Sequence, residues 1–183
     1  MQLRNSSSRY GAVSMLLHWG VALVVFGLFA LGLWMVGLDY YSEYRKAAPD
    51  LHKSIGLTLF AVMVVRLAWR FISPPPPALS NHGRLTRLGA KFGHAFLYLG
   101  LFALMFSGYL ISTAEGVGIP VFNLFDVPAW ISSIPDQADV AGTVHLYLAW
   151  TVVIFAVLHG LAALKHHFID RDATLTRMLG RKA

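Results

Sequence analysis

The sequence predicts an all-α integral membrane protein, a bundle of four transmembrane helices with both termini in the cytoplasm. Three observations predict it. Hydrophobic residues make up 56% of the chain against 13% charged, with a mean hydropathy of +0.58, which is more apolar surface than a water-soluble domain of 183 residues can bury. Four apolar stretches each approach the roughly 20 residues that a helix needs to cross a hydrocarbon core of about 30 Å. The basic residues are sorted by side, as the positive-inside rule demands of a multi-pass protein.

The helices are expected at about 13–36, 53–72, 92–112 and 144–168, in a single domain covering 1–183. The first follows Arg4 and Arg9 and stays apolar through Leu28, Leu31, Leu33 and Met35. A secretory signal has an apolar region of only about 7–15 residues, so this segment is expected to be retained. The second ends at Ser73-Pro74-Pro75-Pro76-Pro77, because proline has no amide hydrogen with which to continue a helix. The third opens among Arg84, Arg87 and Lys91. Between the third and fourth, Gly116, Gly118, Pro120, Pro128 and Pro135 separate apolar clusters around Phe122, Phe125, Trp130 and Ile131, and this loop is expected to cap the outer membrane surface.

Of the 15 Lys and Arg, 12 lie at the N-terminus, from the end of helix two to the start of helix three, or at the C-terminal end, where Arg181 and Lys182 are counted. Only Arg45, Lys46 and Lys53 fall on the other side, which puts both termini in the cytoplasm. The net charge of +6 therefore marks orientation, and no nucleic-acid partner is expected. With no cysteine, the chain has no disulfide, iron-sulfur cluster, thiolate-bound haem or covalently attached haem.

Eight histidines carry the functional signal, since a metal-binding or ionisable side chain inside a membrane is costly. The helix directions place His52 and His145 toward the outer face, and His18, His94 and His159 toward the inner one. His145 and His159 are 14 residues apart, which on one helix means nearly the same face and about 21 Å of rise. A six-coordinate haem needs two opposed imidazoles, so each needs a partner at its own depth. His52 matches His145. For His159, both His18 and His94 qualify, and spacing does not choose. A bare imidazole pair would leave zinc short of its usual four ligands, so two b-type haems are the expected cofactors. Arg66 and Arg70, beside Trp69, are candidates to pair with haem propionates, or interfacial anchors.

The motifs then resemble those of the bacterial cytochrome b561 family, akin to the cytochrome b subunits of nickel-iron hydrogenases and formate dehydrogenases. They are Leu17-His18-Trp19, Leu51-His52-Lys53-Ser54-Ile55-Gly56, Val65-Arg66-Leu67-Ala68-Trp69-Arg70, Gly93-His94-Ala95, and His145 with Leu158-His159-Gly160. The tail Lys165-His166-His167-Phe168 and Asp172-Ala173-Thr174-Leu175-Thr176-Arg177-Met178 extends the resemblance over almost the whole chain. It implies that His18 and His159 ligate the inner haem iron and His52 and His145 the outer one, with His94 a neighbour of the haem or its propionates. It also implies exchange of electrons with ubiquinone, a quinone-site role for His166, and, in one branch, oxidation of superoxide.

The expected activity is electron transfer through the bacterial inner membrane from a periplasmic donor to the ubiquinone pool, first as a superoxide:ubiquinone oxidoreductase, with a cytochrome b subunit serving a periplasmic electron-transfer protein as the alternative. Superoxide is an anion, and Lys53 beside His52 is the candidate steering cation. Against it, the outer segments carry seven acidic residues to three basic ones, which offers a contact face to a docking partner. A small transporter, or a structural membrane protein with histidines bonding between helices, is the non-redox alternative.

Overall fold

A computed structural model describes residues 2–180. Arg181 and Lys182, counted above with the inner-side charges, lie outside the described residues. Four helices have the length and hydropathy to cross a membrane: α1 (Ala12–Val36), α2 (Tyr44–Ile72), α3 (Arg84–Thr113) and α4 (Gln137–Phe168). Three begin before their apolar runs, α2 at Tyr44 where 53 was expected, α3 at Arg84 where 92 was, and α4 at Gln137 where 144 was. The apolar run ends where the bilayer does, but backbone hydrogen bonding has no reason to stop there. Even Pro49 is accommodated near the start of α2, at the loss of one intrahelical bond.

Large apolar side chains point outward along the spans: Leu16, Leu23 and Phe71 are 75%, 76% and 78% exposed. Against water such surface costs about 25 cal/mol per Å². Against lipid tails it costs nothing, so these flanks are built for hydrocarbon.

Two compact units each take a stretch of all four helices: Met1–Ala22, Val62–Leu99 and Ile154–Ala183 in one, Leu23–Ala61 and Gly100–Val153 in the other. In the first, Phe92 and Phe96 of α3 meet Phe155 of α4, with ring centres 6.4 and 4.3 Å apart. Its polar end is tied by side chains that bond to backbone. Asn5 donates to the carbonyls of Ser73 and Pro74 at the head of the proline run and accepts from the Gly11 N–H. Arg177, in the short helix α5 (Thr174–Met178), is only 6% exposed and donates to the carbonyls of Ser7, Ser8 and Pro77. Arg177→Ala leaves these three carbonyls unpaired. It is expected to cost about 2–3 kcal/mol, read as a lower unfolding midpoint of the detergent-solubilised protein.

In the second unit, Phe60 packs on Phe102 and Phe29 on Trp150, at 5.7 and 4.9 Å between ring centres. The α3–α4 connection is not merely irregular. It contains an antiparallel ribbon of β1 (Ile119–Val121) and β2 (Phe125–Val127), which turns at Phe122 and Asn123 with φ of 49° and 57°. Two successive left-handed residues give the twist that a tight hairpin needs, and Asn is one of the residues that tolerates it. Ser54 of α2 fastens the ribbon, its Oγ accepting the Phe122 N–H at 3.0 Å. Thr113 and Gln137 both donate to the Ile131 carbonyl, which holds the rest of the loop against the helix ends.

Candidate functional site

The second unit brings His52 of α2 and His145 of α4 opposite each other, edge to face, with ring centres 6.3 Å apart and planes at 70°. His145 is oriented by α3, its Nδ1 lying 3.0 Å from the Leu104 carbonyl and 3.1 Å from Ser107 Oγ. Ser107 itself donates to the Leu104 carbonyl at 2.8 Å. The carbonyl can only accept, so it fixes the proton on Nδ1 and leaves the Nε2 lone pair bare, as in metal-bound histidines. His52 Nδ1 is buried without a hydrogen-bond partner among the described residues, a cost of about 1–3 kcal/mol if left unmet.

Two glycines make room for these rings. A Cβ on Gly108 would stand 3.1 Å from His145 Cε1, and one on Gly32 would stand 3.4 Å from His52 Cε1. At Gly56 and Gly142 an added Cβ would meet nothing within 4 Å. Ser107, Gly108 and Gly32 escaped the sequence reading. Serine and glycine are common in packed transmembrane helices, and only the fold shows which of them touch a histidine.

The first unit gathers three histidines. His159 of α4 lies 6.2 Å from His18 of α1 and 5.4 Å from His94 of α3, ring centre to ring centre. Arg66 of α2 reaches the same group, its Nη2 donating to His18 Nδ1 at 3.0 Å. Both Arg66 and Arg70 stand over the Tyr98 ring, at 5.3 and 6.0 Å. At Gly20 and Gly160 an added Cβ would meet nothing within 4 Å.

The separations have a chemical meaning. With metal–nitrogen bonds of about 2.0–2.1 Å and nitrogen about 1.1 Å from the ring centre, two imidazoles on opposite sides of one metal ion have centres roughly 6.2–6.4 Å apart. The His52–His145 and His18–His159 pairs stand at that distance, and the His94–His159 pair is too close for it.

The remaining candidates sit at the polar ends. Lys53 does not stand free, since its Nζ is 2.8 Å from the Asp50 carboxylate. His166 Nδ1 lies 2.9 Å from Asp170 and 3.0 Å from Asp172. Burial alone raises the pKa of a carboxyl group, but hydrogen bonds from Thr174 and His82 and the nearby His166 hold Asp172 well below the usual carboxylate range. His167 instead turns to Phe168, 4.8 Å between ring centres.

Residues 9–181 match the family described as prokaryotic cytochrome b561. Over its full 183 residues the chain is 54% identical to cytochrome b561 homolog 2 of Escherichia coli (strain K12), covering 97% of that protein. It is 29% identical to the probable superoxide oxidase CybB of Yersinia pestis, over 95% of this chain and 97% of that one. It is also 27% identical to a probable Ni/Fe-hydrogenase B-type cytochrome subunit of Rhodobacter capsulatus, over 63% of this chain and 43% of that one.

Proposed function

Because this multi-pass bacterial inner-membrane chain belongs to the prokaryotic cytochrome b561 family, we propose that it carries electrons between a periplasmic donor and ubiquinone through two b-type haems. The observation that carries the reading is the pair of imidazole separations, 6.2 Å for His18 and His159 and 6.3 Å for His52 and His145. The residues fit the group. The carbonyl-anchored His145 presents a lone pair, and open space flanks Gly20, Gly56, Gly142 and Gly160. Each haem, when bound, supplies one-electron chemistry of the iron, and the protein supplies axial ligands, low dielectric and entry points.

We read 1–183 as one electron-transfer domain, and the sorting of the basic residues supports cytoplasmic termini at both ends. Arg66 then has a second task. A ligating imidazole donates from its other nitrogen, and a guanidinium cannot accept, so Arg66 must release His18 Nδ1 and turn to an acceptor, for which the propionates are suited. Arg70, over the same tyrosine, is placed to assist, and His94 borders the haem without ligating it. At the inner end His166, with Nδ1 held by two carboxylates, is the candidate to pass a proton to bound quinone while no metal ion occupies that nitrogen.

Superoxide is the donor we favour, supported by the 29% identical relative described as a probable superoxide oxidase. The Lys53–Asp50 pair supports a second reading, a periplasmic redox protein docking on an acidic outer face, because the pairing cancels much of the field that would steer an anion. Under a steady superoxide flux, the isolated protein is expected to reduce a soluble ubiquinone analogue. Activity that returns only with a copurifying partner would select the second reading. A folded but colourless preparation would return the chain to the transporter or structural class.

A further inference from the structure

One cluster has no part in the haem pairs. His82, in the connection between α2 and α3, meets His166 at the end of α4 and Asp172 just beyond it, and their donor atoms all lie within 4.8 Å of one another. Asp172 Oδ2 stands 2.9 Å from His82 Nε2 and 3.0 Å from His166 Nδ1, so a single oxygen serves two imidazoles. Asp172 Oδ1 is taken by the Thr174 N–H at 2.8 Å, which fixes the carboxylate and aims Oδ2 inward. Asp170 Oδ2 approaches His166 Nδ1 at 2.9 Å from another side. The side chains are sheltered, with 14%, 19% and 4% exposure for His82, His166 and Asp172.

We propose that His82, His166 and Asp172 form a binding site for one divalent transition-metal ion, best matched by Zn²⁺, with Asp170 or water as the fourth ligand. Two imidazoles with one or two carboxylates form a mixed nitrogen and oxygen set that suits zinc, whereas Mg²⁺ and Ca²⁺ want oxygen alone. A tetrahedral ion with bonds of about 2.0 Å sets its ligand atoms about 3.3 Å apart. The contacts of 2.9 and 3.0 Å need to open by only a few tenths of an ångström, which small side-chain rotations supply. Two neutral imidazoles and two carboxylates leave the loaded site uncharged. Recruiting Asp170 takes it from Lys165, 2.7 Å away, so Asp170 is the exchangeable member. An ion here would clamp the His82 segment to the end of α4. Its binding does not depend on what feeds electrons to the haems.

The test is calorimetric titration of the tag-free, haem-loaded protein in detergent, after chelator treatment, with Zn²⁺ and then Mg²⁺. One equivalent of Zn²⁺ should bind and Mg²⁺ should not compete. His82→Asn, a loop substitution outside the helices, should weaken binding at least about tenfold while haem content stays at the parental value. Asp172→Asn should do the same, and if it misfolds, His82→Asn alone decides. X-ray absorption at the zinc edge should show two imidazoles on the ion. No saturable binding, equal affinity in His82→Asn, or a shell of oxygen alone would overturn the site.

Discussion

Replacing His52 or His145 with alanine is expected to give a protein that binds one b-type haem in place of the two proposed. The chain has no cysteine to attach haem covalently, so an axial bond would be a principal tether, and each of these rings would supply one side of a pair 6.3 Å apart. The two substitutions should differ in severity. His145 is oriented by the Leu104 carbonyl and Ser107, so in His52→Ala the surviving ring keeps its tautomer and direction. His52 Nδ1 has no partner among the described residues, so in His145→Ala the surviving ring has nothing to aim it. His145→Ala should therefore lose the outer haem more completely. The measurement is haem per chain with the reduced-minus-oxidised spectrum, and the inner haem should remain, since His18 and His159 belong to the other compact unit. Superoxide-driven quinone reduction should disappear in both variants. Equal retention of both haems in both variants would remove the outer pair from the proposed wire.

The sequence revealed the spans and the histidine layers for a simple physical reason. Crossing hydrocarbon imposes a length and a hydropathy on each helix, and depth along a helix follows from rise per residue. Thus His52 and His145, 93 positions apart in the chain, were matched by depth alone, and they face each other in the fold. Helix starts were less legible, because polar turns such as Tyr44–Asp50 stay helical past the apolar run. Azimuth was not legible either. Depth put both His18 and His94 beside His159, and only the packing of α1 and α3 around α4 gives each its separation. His82 had no motif at all, as its partners lie about 90 residues away, on the far side of two membrane crossings. The Lys53–Asp50 pair is local, at i and i−3 on one helix, and the helical neighbour rule could have found it.

The choice between His18 and His94 carries the second large effect. His18→Ala is expected to lose the inner haem, and His94→Ala to keep both haems with only a small spectral shift. The argument is one of distance. Opposed axial imidazoles need ring centres roughly 6.3 Å apart, and no rotation about an iron–nitrogen bond shortens that by much. His18 stands 6.2 Å from His159, whereas His94 stands 5.4 Å away, inside what a shared iron allows. Widening the His94–His159 separation by withdrawing α3 from α4 would work against the Phe96–Phe155 contact at 4.3 Å and that of Phe92 with the same ring. Arg66 offers an independent check, since ligation by His18 requires it to leave Nδ1 for an acceptor. Arg66→Leu should therefore loosen the inner haem by removing a propionate partner, yet leave it six-coordinate in the oxidised spectrum. If His94→Ala lost the inner haem while His18→Ala kept it, the distance criterion would fail and the ligand assignment would pass to α3.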